Sequence, residues 1–140
     1  MTKRISLALL CVCLVIGMTG LTTTAAAAEP YQVEIEPFWQ NVAAITLNMS
    51  RNGGTVTSMG QILGQAGTTA ISASFTLARQ NANGTFTNVD SWITNSSSMA
   101  TSSSRSTTGQ SAGTYRLSVT VRVTRNGTVE TVSESHTMAL

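Results

Sequence analysis

The chain contains few of the residue types that supply reactive groups. Of its 140 residues two are cysteine and one is lysine, and all three, Lys3, Cys11 and Cys13, fall in the first 13 positions. The rest of the chain therefore has no thiol nucleophile, no disulfide, and no lysine for a Schiff base or an isopeptide bond. One histidine and one aspartate without thiols cannot assemble a zinc site, so we predict no metal and no cofactor.

Charged residues are also scarce, at 10% of the chain. Without the two basic residues at positions 3 and 4, six arginines remain against six acidic residues, which makes the net charge of residues 29–140 zero. A balanced charge gives no electrostatic reason to expect nucleic acid or an anionic membrane as a partner.

The first 28 residues have the three parts of a secretory signal peptide. Two basic residues come first, an apolar run of 14 residues extends from Ile5 to Met18, and four alanines close the segment at 25–28. A spanning helix needs about 20 apolar residues, so a membrane anchor is the less favoured alternative. We predict cleavage after Ala27 or Ala28 and a secreted, extracellular protein, loosely associated with the cell wall and with no stable membrane insertion.

Apolar and polar residues alternate in several stretches beyond this leader. The clearest stretch runs from Tyr115 to Val123, and shorter ones cover 31–35, 45–49 and 71–77. Successive side chains of a strand point to opposite faces, so such a stretch has one face for a core and one for solvent. The pattern predicts an all-β domain at 42–140, preceded by a lead-in segment at 29–41.

Turn signals separate these stretches. Asn-Gly pairs occur at 52–53, 83–84 and 126–127. Asn-Gly favours the two-residue turns that need positive φ at both positions, so we predict a hairpin that joins 113–125 to 128–138. Residues 94–108 are rich in serine and threonine, and we interpret them as a loop, with a poor edge strand as the alternative.

The segment 111–119 resembles the start of strand F in immunoglobulin-like domains, where a tyrosine bonds back to the backbone at the corner. Tyr115 takes the place of that tyrosine. Phe75, Trp92 and Leu117 occupy positions comparable to the cysteine, tryptophan and cysteine that meet in an immunoglobulin core. The resemblance implies a single immunoglobulin-like antiparallel β-sandwich, with a small barrel as the alternative.

The whole layout is also similar to a group of small exported Gram-positive proteins of unknown function. The shared features are the alanine-rich leader, Trp39, the strand at 71–77, Ser91-Trp92, the Gly-Thr-Tyr sequence at 113–115 and the last Asn-Gly pair. This resemblance implies a bacterial exported protein and no particular activity.

Four residues are candidates for a binding surface: Phe38, Trp39, Arg116 and Arg122. The aromatic pair suits stacking on a glycan or protein if exposed, and closure of the core if buried, which we favour. The arginines suit an acidic wall polymer, or protection of a strand edge by charge, which we favour. Glu34 and Glu36 share a face of one predicted strand, which indicates a solvated edge rather than a glycosidase pair.

We therefore expect a non-catalytic protein that binds an extracellular protein or a cell-surface polymer. One alternative is a structural unit that assembles by strand addition. The other is a small secreted hydrolase that uses His136, for which no Gly-x-Ser-x-Gly sequence gives support.

Overall fold

The computed structural model describes residues 38–140, which form strands and no helices. The seven strands are β1 (Val42–Asn52), β2 (Thr55–Gly64), β3 (Thr68–Gln80), β4 (Phe86–Ser96), β5 (Ala100–Thr107), β6 (Thr114–Arg125) and β7 (Thr128–Ala139). The all-β prediction is confirmed for this part of the chain. The predicted signal peptide, the strand at 31–35, the glutamates at 34 and 36 and Pro37 lie outside the described residues.

The strands form two antiparallel sheets. One sheet has the order β1-β2-β5 and the other has the order β4-β3-β6-β7. Each sheet ends in two edge strands, so the described residues form a sandwich and not a closed barrel. The sandwich prediction is confirmed, and the order is compatible with an immunoglobulin-like layout.

The core lies between the two sheets and follows the period-two pattern of the sequence. On β6 the side chains of every second residue from Tyr115 to Val123 are at most 1% exposed. The neighbouring β3 adds Phe75 and Leu77, which are fully buried, and the three-stranded sheet adds Val56 and Ile62. Because adjacent residues alternate between faces, each strand offers one apolar face to this interior.

The last two strands form the predicted hairpin. β6 pairs with β7 without a register shift, from Arg125 opposite Thr128 to Thr114 opposite Ala139. The turn residues Asn126 and Gly127 have φ values of 49° and 77°, the positive angles for which Asn-Gly is favoured.

The interpretation of 94–108 as a loop is wrong, and the edge-strand alternative is correct. β4 continues to Ser96, and β5 pairs with β2 from Thr107 opposite Val56 to Ala100 opposite Leu63. Side-chain hydroxyls stabilise this strand in place of apolar packing. The hydroxyl of Ser103 accepts a hydrogen bond from Trp92 Nε1 at 3.0 Å, across to the other sheet.

The resemblance to immunoglobulin domains holds for Tyr115 and fails for Phe75 and Leu117. The Tyr115 hydroxyl donates a hydrogen bond to the Ser111 carbonyl at 2.6 Å, as expected of a corner tyrosine. The two cysteines of an immunoglobulin core bridge opposite sheets, whereas β3 and β6, which carry Phe75 and Leu117, are neighbours in one sheet. Phe75 instead stacks on Trp92, with ring centroids 5.1 Å apart.

Candidate functional site

The four residues predicted as a binding surface do not form one site. Phe38 is 95% exposed, while Trp39 is partly buried and packs against the core. The expected burial of this aromatic pair is therefore wrong for Phe38 and holds in part for Trp39. Arg116 and Arg122 both lie on the outer face of β6, six positions apart, which corresponds to about 20 Å along a strand.

Glu130 of β7 holds the segment that follows Trp39. Its carboxylate accepts backbone N–H bonds from Gln40 at 2.9 Å, Asn41 at 2.6 Å and Val42 at 3.2 Å. Burial raises the pKa of this carboxyl, but the three N–H donors outweigh burial, and the net pKa is lowered. The carboxylate thus fixes the chain where β1 begins and places Trp39 against the core.

Arg116 and Arg122 have different surroundings. The guanidinium carbon of Arg116 lies 4.1 Å from the centroid of the Phe86 ring, a cation–π contact that holds the half-buried side chain. Arg122 is exposed and makes no ion pair or side-chain hydrogen bond within residues 38–140. Edge protection by these arginines is wrong, because β6 lies between β3 and β7 and is not an edge strand.

Arg122 belongs to a row of polar side chains that crosses the four-stranded sheet. Ser72 lies opposite both Asn95 of β4 and Arg122 of β6, and Arg122 lies opposite Thr131 of β7. Part of this row lines an open depression of about 470 Å³, together with Ser96, Ser97, Thr124, Val129 and two residues of β3. The depression offers hydroxyl and amide groups on either side of a guanidinium.

The next rows of this outer face are also rich in hydroxyl groups. Ser74 of β3 lies opposite Thr120 of β6, and Thr120 lies opposite Ser133 of β7. The hydroxyl oxygens of Thr120 and Ser133 are 3.1 Å apart, which is a hydrogen-bond distance. Such a face presents many small donors and acceptors close to Arg122.

The acidic groups of the described residues point away from this outer face. Glu130 and Glu134 share the half-buried face of β7 with Val132, which packs against the core. Asp90 bonds to Arg105 at 3.1 Å, the one ion pair within residues 38–140. The hydrogen bond from Arg105 is the main cause that lowers the Asp90 pKa. The outer face of the four-stranded sheet therefore carries positive charge.

His136 lies on the half-buried face of β7, opposite Leu117 of β6. Its neighbours on that face are Glu134 and Met138. Across the described part of the chain, no three or more His, Cys, Asp or Glu side chains come close enough to hold a metal ion.

The sequence pattern led to Arg122 but missed Asn95, Ser72 and Thr124 beside it. These residues come from three strands, and only the pairing register brings them together. The composition of 94–108 predicts a loop at Asn95, so no signal in the sequence places it on the same face as Arg122. Within the described residues, no helix has the length and apolar character needed to cross a membrane.

Comparison with known proteins gives no family: no family model matches the chain, and no curated protein matches it significantly.

Proposed function

We propose that this protein is a secreted, non-catalytic β-sandwich of the immunoglobulin-like type that binds an anionic cell-surface polymer. The contact surface is the outer face of the four-stranded sheet, with Arg122 at its centre. The leader at 1–28 supports secretion. Seven strands in two antiparallel sheets and the corner tyrosine Tyr115 support the immunoglobulin-like type.

The exposed guanidinium of Arg122 carries the proposal. Arginine bonds well to phosphate and carboxylate groups because its planar fork makes two parallel hydrogen bonds. The hydroxyl and amide groups of Ser72, Asn95 and Thr124 suit the hydroxyl groups of a polyol or sugar chain. A protein partner is less favoured, because protein contact surfaces concentrate large aromatic residues, and the depression has none.

The test is binding to an immobilised polymer of glycerol phosphate, with neutral dextran as the comparison. We expect the full chain to bind the phosphate polymer and not dextran. Arg122→Ala is expected to weaken binding about tenfold or more, the effect of losing one or two charge-assisted hydrogen bonds. Arg122→Lys is expected to weaken binding less than Arg122→Ala, because lysine keeps the positive charge.

Arg51→Ala is the matched control. It removes one positive charge from β1 in the opposite sheet, where Arg51 bonds to the Gln110 carbonyl, and is expected to leave polymer binding unchanged. Equal binding of both polymers, or full binding by the Arg122→Ala variant, contradicts the proposal. If a protein binds to the same face and this binding is lost in the Arg122→Ala variant, the face belongs to a protein partner and not to a polymer.

A further inference from the structure

Within residues 38–140, no further strand pairs with β7, the last strand of the four-stranded sheet. β7 ends the order β4-β3-β6-β7, and Leu140 beyond it exchanges two backbone hydrogen bonds with Gly113, both 2.9 Å long. In an antiparallel ladder every second residue makes such an exchange. The even-numbered residues of β7 therefore bond to β6, and the odd-numbered residues from Val129 to Ala139 point their N–H and C=O groups away from the sheet.

The side chains beside this edge are partly apolar and partly charged. Val132 and Met138 are half-buried and pack against the core. Glu134 and His136 stand between them on the same face, also half-buried. Neither has a side-chain hydrogen bond or an ion pair within residues 38–140, where the one ion pair joins Arg105 and Asp90.

We propose that β7 binds β7 of a second copy of this chain, antiparallel about a two-fold axis at Ser135. The two four-stranded sheets then form one continuous sheet. In this register Glu134 lies opposite the partner's His136, and His136 lies opposite the partner's Glu134. Val132 likewise lies opposite the partner's Met138.

The backbone permits this register. Odd-numbered residues face odd-numbered residues, so the outward N–H and C=O groups of both edges meet and bond. Even-numbered residues form the non-hydrogen-bonded pairs, whose Cα atoms approach to about 4.5 Å and whose side chains are closest. An imidazole N–H can donate to the facing carboxylate at each of the two equivalent positions.

Charge complementarity selects Ser135 as the centre. An axis at Glu134 places the carboxylate opposite its own copy, and an axis at His136 places imidazole opposite imidazole. An axis at Ser133 places Glu134 opposite the partner's Val132, where it has no donor, and His136 opposite the partner's Glu130, whose carboxylate already accepts three backbone N–H bonds. Charged residues that point inward on an edge strand normally oppose pairing, and of these four registers only the axis at Ser135 places an imidazole opposite Glu134.

Hydrogen bonds join the edges of β4 and β5, whereas within residues 38–140 those of β7 reach the start of β1 only at Thr128 and Glu130. On the β4–β5 side, side chains already join the two sheets through Asp90 with Thr107 at 2.8 Å and through Thr94 with Ser103 at 2.9 Å. Pairing through β7 is independent of polymer binding, since Arg122 lies on the outer face of β6. If pairing through β7 is disproved, the proposal of polymer binding can still be tested, and the reverse also holds.

The first experiment is sedimentation of the exported protein across a wide range of concentration. We expect a dimer that dissociates on dilution. Glu134→His and His136→Glu each place like groups opposite one another twice, and each is expected to weaken the dimer about tenfold. The double variant restores both pairs and is expected to restore the dimer. A monomer at all concentrations, or a double variant as weak as the singles, overturns the proposal.

The second experiment tests the register by a disulfide. In a chain with Cys11→Ser and Cys13→Ser, Ser135→Cys is expected to cross-link two copies, because paired Cα atoms about 5.5 Å apart lie within disulfide range. Ser133→Cys is the matched control on the same strand. In this register the two cysteines at position 133 are offset by four positions along the strands, about 13 Å, which is too far for a disulfide. Equal cross-linking at 133 and 135 rejects the axis at Ser135.

Discussion

The hydroxyl of Tyr115 holds the chain at the point where it enters β6. The ring is fully buried, and the O–H group donates to the Ser111 carbonyl at 2.6 Å. Partners four residues apart form this contact, so the local sequence was enough to predict it. The bond ties the loop before β6 to the most buried strand of the sandwich.

We expect Tyr115→Phe to lower the free energy of unfolding by about 0.5–1.5 kcal/mol, the usual net value of an intramolecular hydrogen bond. The ring is kept, so apolar packing is unchanged and the loss reports the hydroxyl alone. Urea unfolding followed by Trp fluorescence measures the change. A variant as stable as the wild type would show that the Ser111 carbonyl is satisfied without Tyr115.

The difference between Arg116 and Arg122 also belongs to the residue scale. Both follow the same alternation on β6, and the sequence pattern treats them alike. The two arginines differ in their contacts. The ring of Phe86 of β4 lies against Arg116, whereas no described side chain bonds to Arg122. The alternation of apolar and polar residues along one strand does not predict a contact with a strand distant in the sequence.

Contact between the two sheets depends on a small residue of β2. Gly60 is buried opposite the ring of Phe75, and a Cβ at Gly60 would overlap Cε1 of that ring and lie 2.7 Å from Cζ. Phe75 is itself fully buried and stacked on Trp92, so the ring has little freedom to move away. The glycine allows β2 and β3 to approach at this point.

Gly60→Ala is expected to destabilise the fold by about 1–3 kcal/mol through overpacking. Gly54→Ala is the matched control in the β1–β2 turn. Its nearest contact would be the Gln110 carbonyl at 3.9 Å, and Gly54 has no positive φ, so we expect a change of less than about 0.5 kcal/mol. Urea unfolding measures both, and equal losses would show that the Phe75 ring is not the cause.

The serine-rich strand β5 differs from what its composition predicts. A segment rich in serine has little apolar surface to bury, which favours a loop. Here Ser103 and Thr107 are half-buried because they bond to Trp92 and Asp90 of the other sheet. Hydrogen bonds between the two sheets compensate for the missing apolar packing. Amino-acid composition does not predict these bonds.

At the scale of the whole molecule, two carboxylates connect its parts and make stability depend on pH. Asp90 bonds Arg105 and Thr107 of β5, and Glu130 bonds the backbone before β1; both have lowered pKa values. Between the folded and unfolded pKa values the unfolded state binds more protons, so the free energy of unfolding rises with pH. The stabilisation is present above the ordinary carboxyl range near pH 4 and is lost as pH falls through the lowered values.

We expect urea midpoints to fall steadily once the pH drops below about 4. The double variant Asp90→Asn, Glu130→Gln removes both titrating groups, so its midpoint at neutral pH should be lower and its loss in acid smaller. Ser133→Ala, an exposed change on β7, is the control and should follow the wild type. Parallel curves for the wild type and the double variant would assign the acid effect to other groups.

The sequence by itself determined the strands and the turns between them. Alternation along 115–123 and the Asn-Gly pair at 126–127 are local signals, because side-chain direction and φ preference act within a few residues. Only the tertiary structure decided how the strands are ordered, why Phe75 and Leu117 share a sheet, and which polar residues surround Arg122. Those features depend on register and on contacts between distant segments, and the physical interactions that select them exist only once the two sheets have packed.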